Sequence, residues 1–168
     1  MSNPHDAEAR DRLERMMDQY GADLLRLCAI YLRDPELARD AVQDTFLKAY
    51  RAMDRFRGEV SEKTYLTSIA MSVCRDMLKS AWFRHRSPIA LDRLPEEAAD
   101  FQMPDDTVLC EVMRLPVRYR EIVLLRYYRG MKLGEIAEAL GISLGKVRSR
   151  LDSANGIRLM WPSCRMSP

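Results

Sequence analysis

Apolar side chains recur along this 168-residue chain at steps of three and four, the period of an amphipathic helix. Leu13, Met16, Met17, Tyr20, Leu24, Leu27 and Tyr31 fall on one face of a first predicted helix. Asp34-Pro35-Glu36 then restarts the chain. Asp34 can accept from orphan backbone amides, Pro35 suits the first helical position, and Glu36 suits the positive end of the helix dipole. This predicts a second helix to about Met53 with Ala38, Val42, Phe46, Ala49 and Met53 facing inward. After a break at Arg57-Gly58, Ser61 can cap a third helix whose inner face is Leu66, Ile69, Ala70, Val73, Met77 and Ala81. No stretch alternates with period two for long enough to make a strand. The pattern predicts an all-α fold that opens with an antiparallel helical bundle.

The C-terminal third has its own signature. Leu115-Pro116 opens a helix containing Tyr119, Ile122, Val123 and Leu125 and ending near Gly130. Leu133-Gly-Glu-Ile136-Ala137-Glu-Ala-Leu140-Gly141-Ile142-Ser143 follows, then Leu144-Gly-Lys-Val147-Arg-Ser-Arg-Leu151, which is helix-turn-helix spacing. Ala137 allows close helix crossing, Gly141 supplies a left-handed residue, and Ile142 plugs the corner. Ser143 caps the next helix, with Leu144, Val147 and Leu151 inward and Lys146 and Ser149 outward, flanked by Arg148 and Arg150. Such a helix fits a DNA major groove, where Arg can bond guanine edges or phosphates. The plainer alternative is a helical hairpin with a solvated basic face. Gly156 and Pro162 predict that this helix ends near Ala154, with later residues loosely packed or held by Leu159, Met160 and Trp161 folding back. Gly141 to Lys146 is not a phosphate loop: three residues separate its glycines where four are needed, and Val147 stands where Ser or Thr is required.

Composition sharpens the division. At 47% hydrophobic and 31% charged, with a formal charge of +2, the chain has globular rather than disordered character. The charge is unevenly spread. Residues 1–86 carry 15 basic and 14 acidic side chains, and 107–168 carry 11 basic and 5 acidic. Between them, 87–106 holds Arg93 against six acidic residues and includes Pro88, Pro95 and Pro104. That reads as an acidic linker between two small helical modules, 1–86 and 107–168, although one domain with a long surface loop is the alternative. The longest uncharged stretch, Thr64 to Cys74, has 11 residues, against the roughly 20 a membrane helix needs. No secretory signal is visible at the N-terminus, so the expected location is the cytoplasm. Cys28, Cys74, Cys110 and Cys164 lack metal-ligand spacing, and His5 and His85 stand alone, so neither a metal nor a cofactor is expected.

Two clusters could carry function. Arg75, Lys79, Arg84, His85 and Arg86 interleave with Trp82 and Phe83, and aromatic rings among cations can stack on unpaired bases while neutralising phosphates. A solvated helix end with a buried Trp is the bland reading. Asp40, Gln43 and Asp44 lie beside Phe46 and Lys48. Alone they make a solvated face, and carboxylates suggest catalysis only where a pocket and an acceptor exist, so the chain is not expected to be an enzyme.

Taken together, several stretches resemble bacterial extracytoplasmic-function (ECF) sigma factors of the sigma-70 family. They are Asp34-Pro-Glu-Leu-Ala-Arg-Asp40-Ala-Val-Gln43-Asp44-Thr-Phe46-Leu-Lys48-Ala-Tyr50, Phe56-Arg-Gly58, Tyr65-Leu-Thr-Ser-Ile69-Ala70 and Leu115-Pro-Val-Arg-Tyr119-Arg-Glu121. The resemblance covers about residues 10–86 and 107–151. It implies that residues 1–86 form a region 2 bundle that binds core RNA polymerase through Asp40, Gln43, Asp44, Phe46 and Lys48. It also implies capture of an unpaired minus-ten element by Phe56, Arg57, Ser61, Lys63, Tyr65, Arg75, Lys79 and Trp82. Residues 107–168 would form a region 4 helix-turn-helix that reads minus-thirty-five promoter DNA with Lys146, Arg148, Ser149 and Arg150. An anti-sigma factor is a further implied partner. The sequence departs from the family with Tyr65 where Trp is usual and Ser72 where Asn is usual. A stand-alone helix-turn-helix regulator on operator DNA is the alternative, and a helical adaptor without nucleic-acid function is a third class.

Overall fold

A computed structural model describes the chain over residues 4–84, 111–112 and 114–159, and its side chains over 7–80, 111–112 and 114–156. The chain divides into two compact units, Met1–Ala99 and Asp100–Pro168. The described elements are all helical, and the acidic segment 87–106 lies outside the described residues.

In the first unit, α1 (Pro4–Leu32), α2 (Pro35–Arg51) and α3 (Glu62–Arg84) each pack on the other two. Leu24, Leu27 and Tyr31 of α1 and Leu66, Ala70 and Met71 of α3 are fully buried. Between them α2 contributes Ala38, Ala41 and Ala49, each 0% exposed, together with Phe46. Thr45 is also buried in α2, and its hydroxyl donates to the Ala41 carbonyl at 2.6 Å, so no polar atom is stranded there. The corner between α1 and α2 is built as the sequence predicts. Asp34 is extended at φ −142°, and its Oδ1 accepts from the backbone N–H groups of Glu36 and Leu37 at 2.9 and 3.1 Å. Arg33, just before it, is left-handed at φ 60°, a conformation that costs a residue with a Cβ about 1–2 kcal/mol.

Two expectations need correction in this unit. Met17 is 47% exposed rather than inward, because the α1 face that meets the other helices is centred on Met16, Leu24 and Leu27. Helix α2 stops at Arg51, and Met53 instead begins a short 3-10 turn, Met53–Arg55, from which it still reaches the core.

In the second unit, α4 (Val117–Val123) runs into a π-helical turn, Leu124–Tyr128, followed by α5 (Leu133–Leu140) and α6 (Leu144–Leu159). Ile122, Leu125, Met131, Ile136 and Val147 form the core. The N–H of Arg129 reaches back to the Leu124 carbonyl at 3.0 Å, the wide spacing of a π turn, and Leu124 and Leu125 are both buried by it. The expected single α-helix to Gly130 therefore widens before it ends.

Gly141 is left-handed at φ 63° and closes α5. The Ile142 N–H bonds the Ala137 carbonyl at 3.1 Å and the Gly141 N–H bonds that of Glu138 at 3.3 Å, the paired bonds of a Schellman end. Helix α6 corrects two expectations. Leu144 is 39% exposed, at the first turn, and the inner face is carried by Val147 and Ala154 instead. The helix also passes Ala154 and Gly156 to reach Leu159. A glycine inside a helix costs only about 1 kcal/mol relative to alanine, and Pro162 disturbs only the turn that precedes it. Burial of Ala154 just before Gly156 favours continuation.

Adjacent residues at the α1–α2 corner should respond with opposite signs. Asp34→Ala removes the cap and should destabilise the chain by about 1 kcal/mol. Arg33→Gly relieves the left-handed strain against a smaller entropic loss, leaving a gain of up to about 1 kcal/mol. Urea unfolding followed by circular dichroism reads both, and equal signs would contradict the corner described.

Candidate nucleic-acid interface

Three surfaces gather the residues singled out by the sequence. The first lies on α2. Asp40, Gln43, Asp44 and Leu47 follow one another at steps of three, one and three, so they form a single exposed stripe, with Lys48 exposed beside it. Along this stripe runs an apolar hollow of about 520 Å³ between α1 and α2, lined by Leu13, Met17, Leu25, Val42, Phe46 and Leu47 among others. Phe46 is only 5% exposed and forms part of its wall, whereas Leu47 and Met17 are each 47% exposed at its rim. Sequence reasoning missed Leu47. Its signal was available: a large apolar residue four positions after Gln43, on an otherwise polar stripe.

The second surface is an aromatic corner before and within the first turn of α3. Phe56 and Tyr65 stack with ring centroids 4.4 Å apart and planes tilted by 30°. They line a hollow of about 420 Å³ together with Ala52, Arg55, Arg57, Glu59 and Val60. Ser61 caps α3: its Oγ accepts from the Thr64 N–H at 3.1 Å and donates to Thr64 Oγ1 at 2.9 Å. The Ser61 carbonyl accepts from the Tyr65 N–H at 2.9 Å, so the capped first turn carries Tyr65. Gly58 is left-handed at φ 73°, which lets the loop turn between Phe56 and Ser61. Lys63 is half-buried and Arg57 is exposed. The Tyr65 hydroxyl is buried without a hydrogen-bond partner, and burial pushes its pKa above the usual 10.0, an effect partly offset by the nearby Arg12 charge.

Arg75 and Lys79 do not join this corner. From Tyr65 to Arg75 is ten residues of α3, about 15 Å along the axis. The Arg75 Nε donates to the Met71 carbonyl at 3.3 Å, and Lys79, one turn on, is exposed. Trp82 belongs to the last turn of α3, but its side chain lies outside the described residues, as do His85 and Arg86.

The third surface is the outer side of α6. The Ser143 Oγ accepts from the Lys146 N–H at 3.3 Å, so this helix starts where expected. Lys146, Arg148 and Ser149 are exposed, opposite the buried Val147 and Ala154, while Arg150 is half-buried at the margin. Asp152 is exposed one turn after Arg148. Among the described residues, no group of three or more His, Cys, Asp or Glu is placed to hold a metal, and no helix is long and apolar enough to cross a membrane.

Both units match known proteins in sequence. Residues 16–84 match the family model of sigma-70 region 2, and 106–154 that of sigma-70 region 4. The chain is 30% identical over 149 residues to the ECF RNA polymerase sigma factor SigM of Mycobacterium tuberculosis, covering 87% of this chain and 74% of SigM. It is 28% identical over 158 residues to the RNA polymerase sigma factor YlaC of Bacillus subtilis, covering 86% and 88% of the two chains. Its fold is similar to that of CnrH solved with the cytosolic domain of CnrY, with a TM-score of 0.70 at 22% identity over 95% of this chain and 96% of that one. It is also similar to RpoE of Bartonella quintana, solved with the anti-sigma factor NepR, with a TM-score of 0.67 at 19% identity over 92% and 98%. A bundle and a helix-turn-helix, matched in this order within one chain, make the protein a member of the ECF sigma factors of the sigma-70 family.

Two substitutions test the geometry. Tyr65→Phe removes a buried hydroxyl that has no partner, so stability should hold or rise by up to about 1 kcal/mol. The raised pKa means that the unfolded chain ionises first, so the tyrosine's contribution is intact below pH 10.0 and is lost as pH rises beyond it. The advantage of Tyr65→Phe should therefore widen above that pH in urea titrations, and a clear loss of stability at pH 7 would reveal a hidden partner. Gly141→Ala adds a Cβ that meets nothing within 4 Å, so its cost is backbone strain alone, about 1 kcal/mol. A neutral result in the same measurement would contradict the left-handed corner.

Proposed function

We propose that this chain is the promoter-specificity subunit of a bacterial RNA polymerase, an initiation factor rather than an enzyme, working in the cytoplasm. The observation that carries the reading is the pairing of a region 2 bundle and a region 4 helix-turn-helix in one chain. A stand-alone operator-binding regulator needs the second but has no use for the first.

Each surface then has one task. The stripe of Asp40, Gln43 and Asp44, with Lys48 beside it and the apolar hollow walled by Phe46, docks on the polymerase core. Carboxylates and an amide give direction and selectivity, while the exposed Leu47 and Met17 give apolar area to bury. Phe56, Arg57 and Tyr65 form a stacking platform with a cation at its edge, suited to an unpaired minus-ten base, with Lys63 near its foot. Ser61 supports that platform as a cap. Arg75, Lys79 and Trp82 continue the strand's path along α3. Lys146, Arg148 and Ser149 enter the major groove of minus-thirty-five DNA, with Arg150 at the edge of the contact. Segment 87–106 is the tether between modules 1–86 and 107–168. About 20 residues can reach about 60 Å when extended, enough to serve two separated promoter elements.

An anti-sigma factor is the proposed regulator. One structurally similar sigma factor, RpoE, was solved with the anti-sigma factor NepR, and the apolar rim of the α2 stripe would have to be covered when polymerase is absent.

Docking is tested by charge reversal. Asp44→Lys should weaken association with core polymerase at least tenfold, about 1.4 kcal/mol, with helix content unchanged. Wild-type affinity in the folded variant would remove the stripe from the interface. On duplex DNA, Arg148→Ala should cost about 1–3 kcal/mol and relax preference at one base pair, whereas Lys146→Ala should mainly reduce the salt slope by about one. Unchanged promoter choice in Arg148→Ala, measured by competition binding of the holoenzyme, would contradict the α6 assignment.

A further inference from the structure

The aromatic corner is tied to α1 by a residue that neither the sequence motifs nor the family match singles out. Arg12 directs both Nε and Nη2 at Oε1 of Glu62, at 3.1 and 2.9 Å, and Glu62 is the first residue of α3. The same guanidinium lies 4.8 Å from the centroid of the Phe56 ring. Phe56 in turn stacks on Tyr65. Of the two rings, Tyr65 is fixed by the first turn of a capped helix, whereas Phe56 sits in the loop that follows the 3-10 turn. The loop ring is thus the one whose position needs an outside support, and Arg12 supplies it from 44 residues away in sequence. A guanidinium is suited to this because its plane can lie on a ring while its edge donates to a carboxylate. The Arg12 charge also lowers the Tyr65 pKa, against the larger upward effect of burial.

We propose that Arg12 is the positioning residue of the strand-capture corner: anchored on Glu62, it sets the tilt of Phe56 against Tyr65 and so the shape of the hollow that takes an unpaired base. This rests on reading that hollow as the minus-ten pocket. Arg12 touches no DNA in this scheme. It acts through Phe56, and the ion pair, about one-third exposed on each side, adds little stability of its own.

The test uses holoenzyme assembled from the full chain and core polymerase, with a single-stranded minus-ten oligonucleotide carrying 2-aminopurine in place of one adenine at a time. Stacking in the corner quenches the probe, a reading that a merely structural ion pair would not change at saturating protein. Arg12→Gln should weaken oligonucleotide binding at least fivefold and remove most of the quenching, with core affinity unchanged within twofold. Arg12→Lys, which keeps the charge without the planar surface, should restore part of both readings. Glu62→Ala leaves Arg12 in place without its anchor and should move both readings the same way by at least twofold, which keeps the test open if Arg12→Gln folds poorly. Wild-type binding and quenching in Arg12→Gln and Glu62→Ala, while Phe56→Ala loses both, overturns the positioning role alone. Wild-type readings in Phe56→Ala as well overturn the pocket itself and the proposal with it.

Discussion

Helix α2 lies against α1 and α3 through Ala38, Ala41 and Ala49, which keep no exposed surface, and that close approach leaves no room for a long side chain on its inner face. Phe46 is the one large residue admitted there, and it reaches the edge of the α1–α2 hollow. Arg39, Asp40, Gln43, Asp44, Leu47 and Lys48 are all exposed on the outer side of the helix. The stripe of Asp40, Gln43 and Asp44 is therefore displayed by a helix that cannot rotate without forcing a bulky or charged group into the alanine contact. The surface proposed for polymerase docking is held in register by the smallest residues of the core.

Local hydrogen bonding does comparable work at the other two surfaces. Asp34, Ser61 and Ser143 each take up orphan amides at the start of a helix, and two of these helices begin within a turn of residues assigned to DNA. Ser61 fixes the direction in which Tyr65 leaves α3, and Ser143 together with the left-handed Gly141 fixes the angle at which Lys146, Arg148 and Ser149 are presented. The two units differ in what they offer. One shows a ring pair with a hollow, suited to a base out of its stack, and the other a convex helix, suited to a groove.

Features that depend on neighbours in sequence were legible there. The caps, the Gly141 corner and the helical period are chemistry among residues no more than four or five apart, so reading the chain in order finds them. Period alone could not tell Met16, which is buried, from Met17, which is at the rim of a hollow, because the answer depends on where α2 lies. The end of α6 was misjudged for a related reason: Gly156 is a local signal to stop, and burial of Ala154 by the rest of the unit outweighs it. The widened turn at Leu124–Tyr128 has no sequence marker beyond two adjacent leucines. Least legible was Arg12, whose partners lie 44 and 50 positions away. A lone arginine on a charged helix face carries no sign of that tertiary contact.

In the proposed function, two separate DNA-reading surfaces and a polymerase-docking stripe on one chain act together to start transcription. Run-off transcription tests it most directly, using purified core RNA polymerase and a pool of genomic promoter fragments, with and without the protein. Discrete transcripts should appear only when the protein is added to core polymerase, from templates sharing a common pair of upstream elements. A protein that footprints duplex DNA by itself, and leaves the products of core polymerase unchanged on every template, would contradict it.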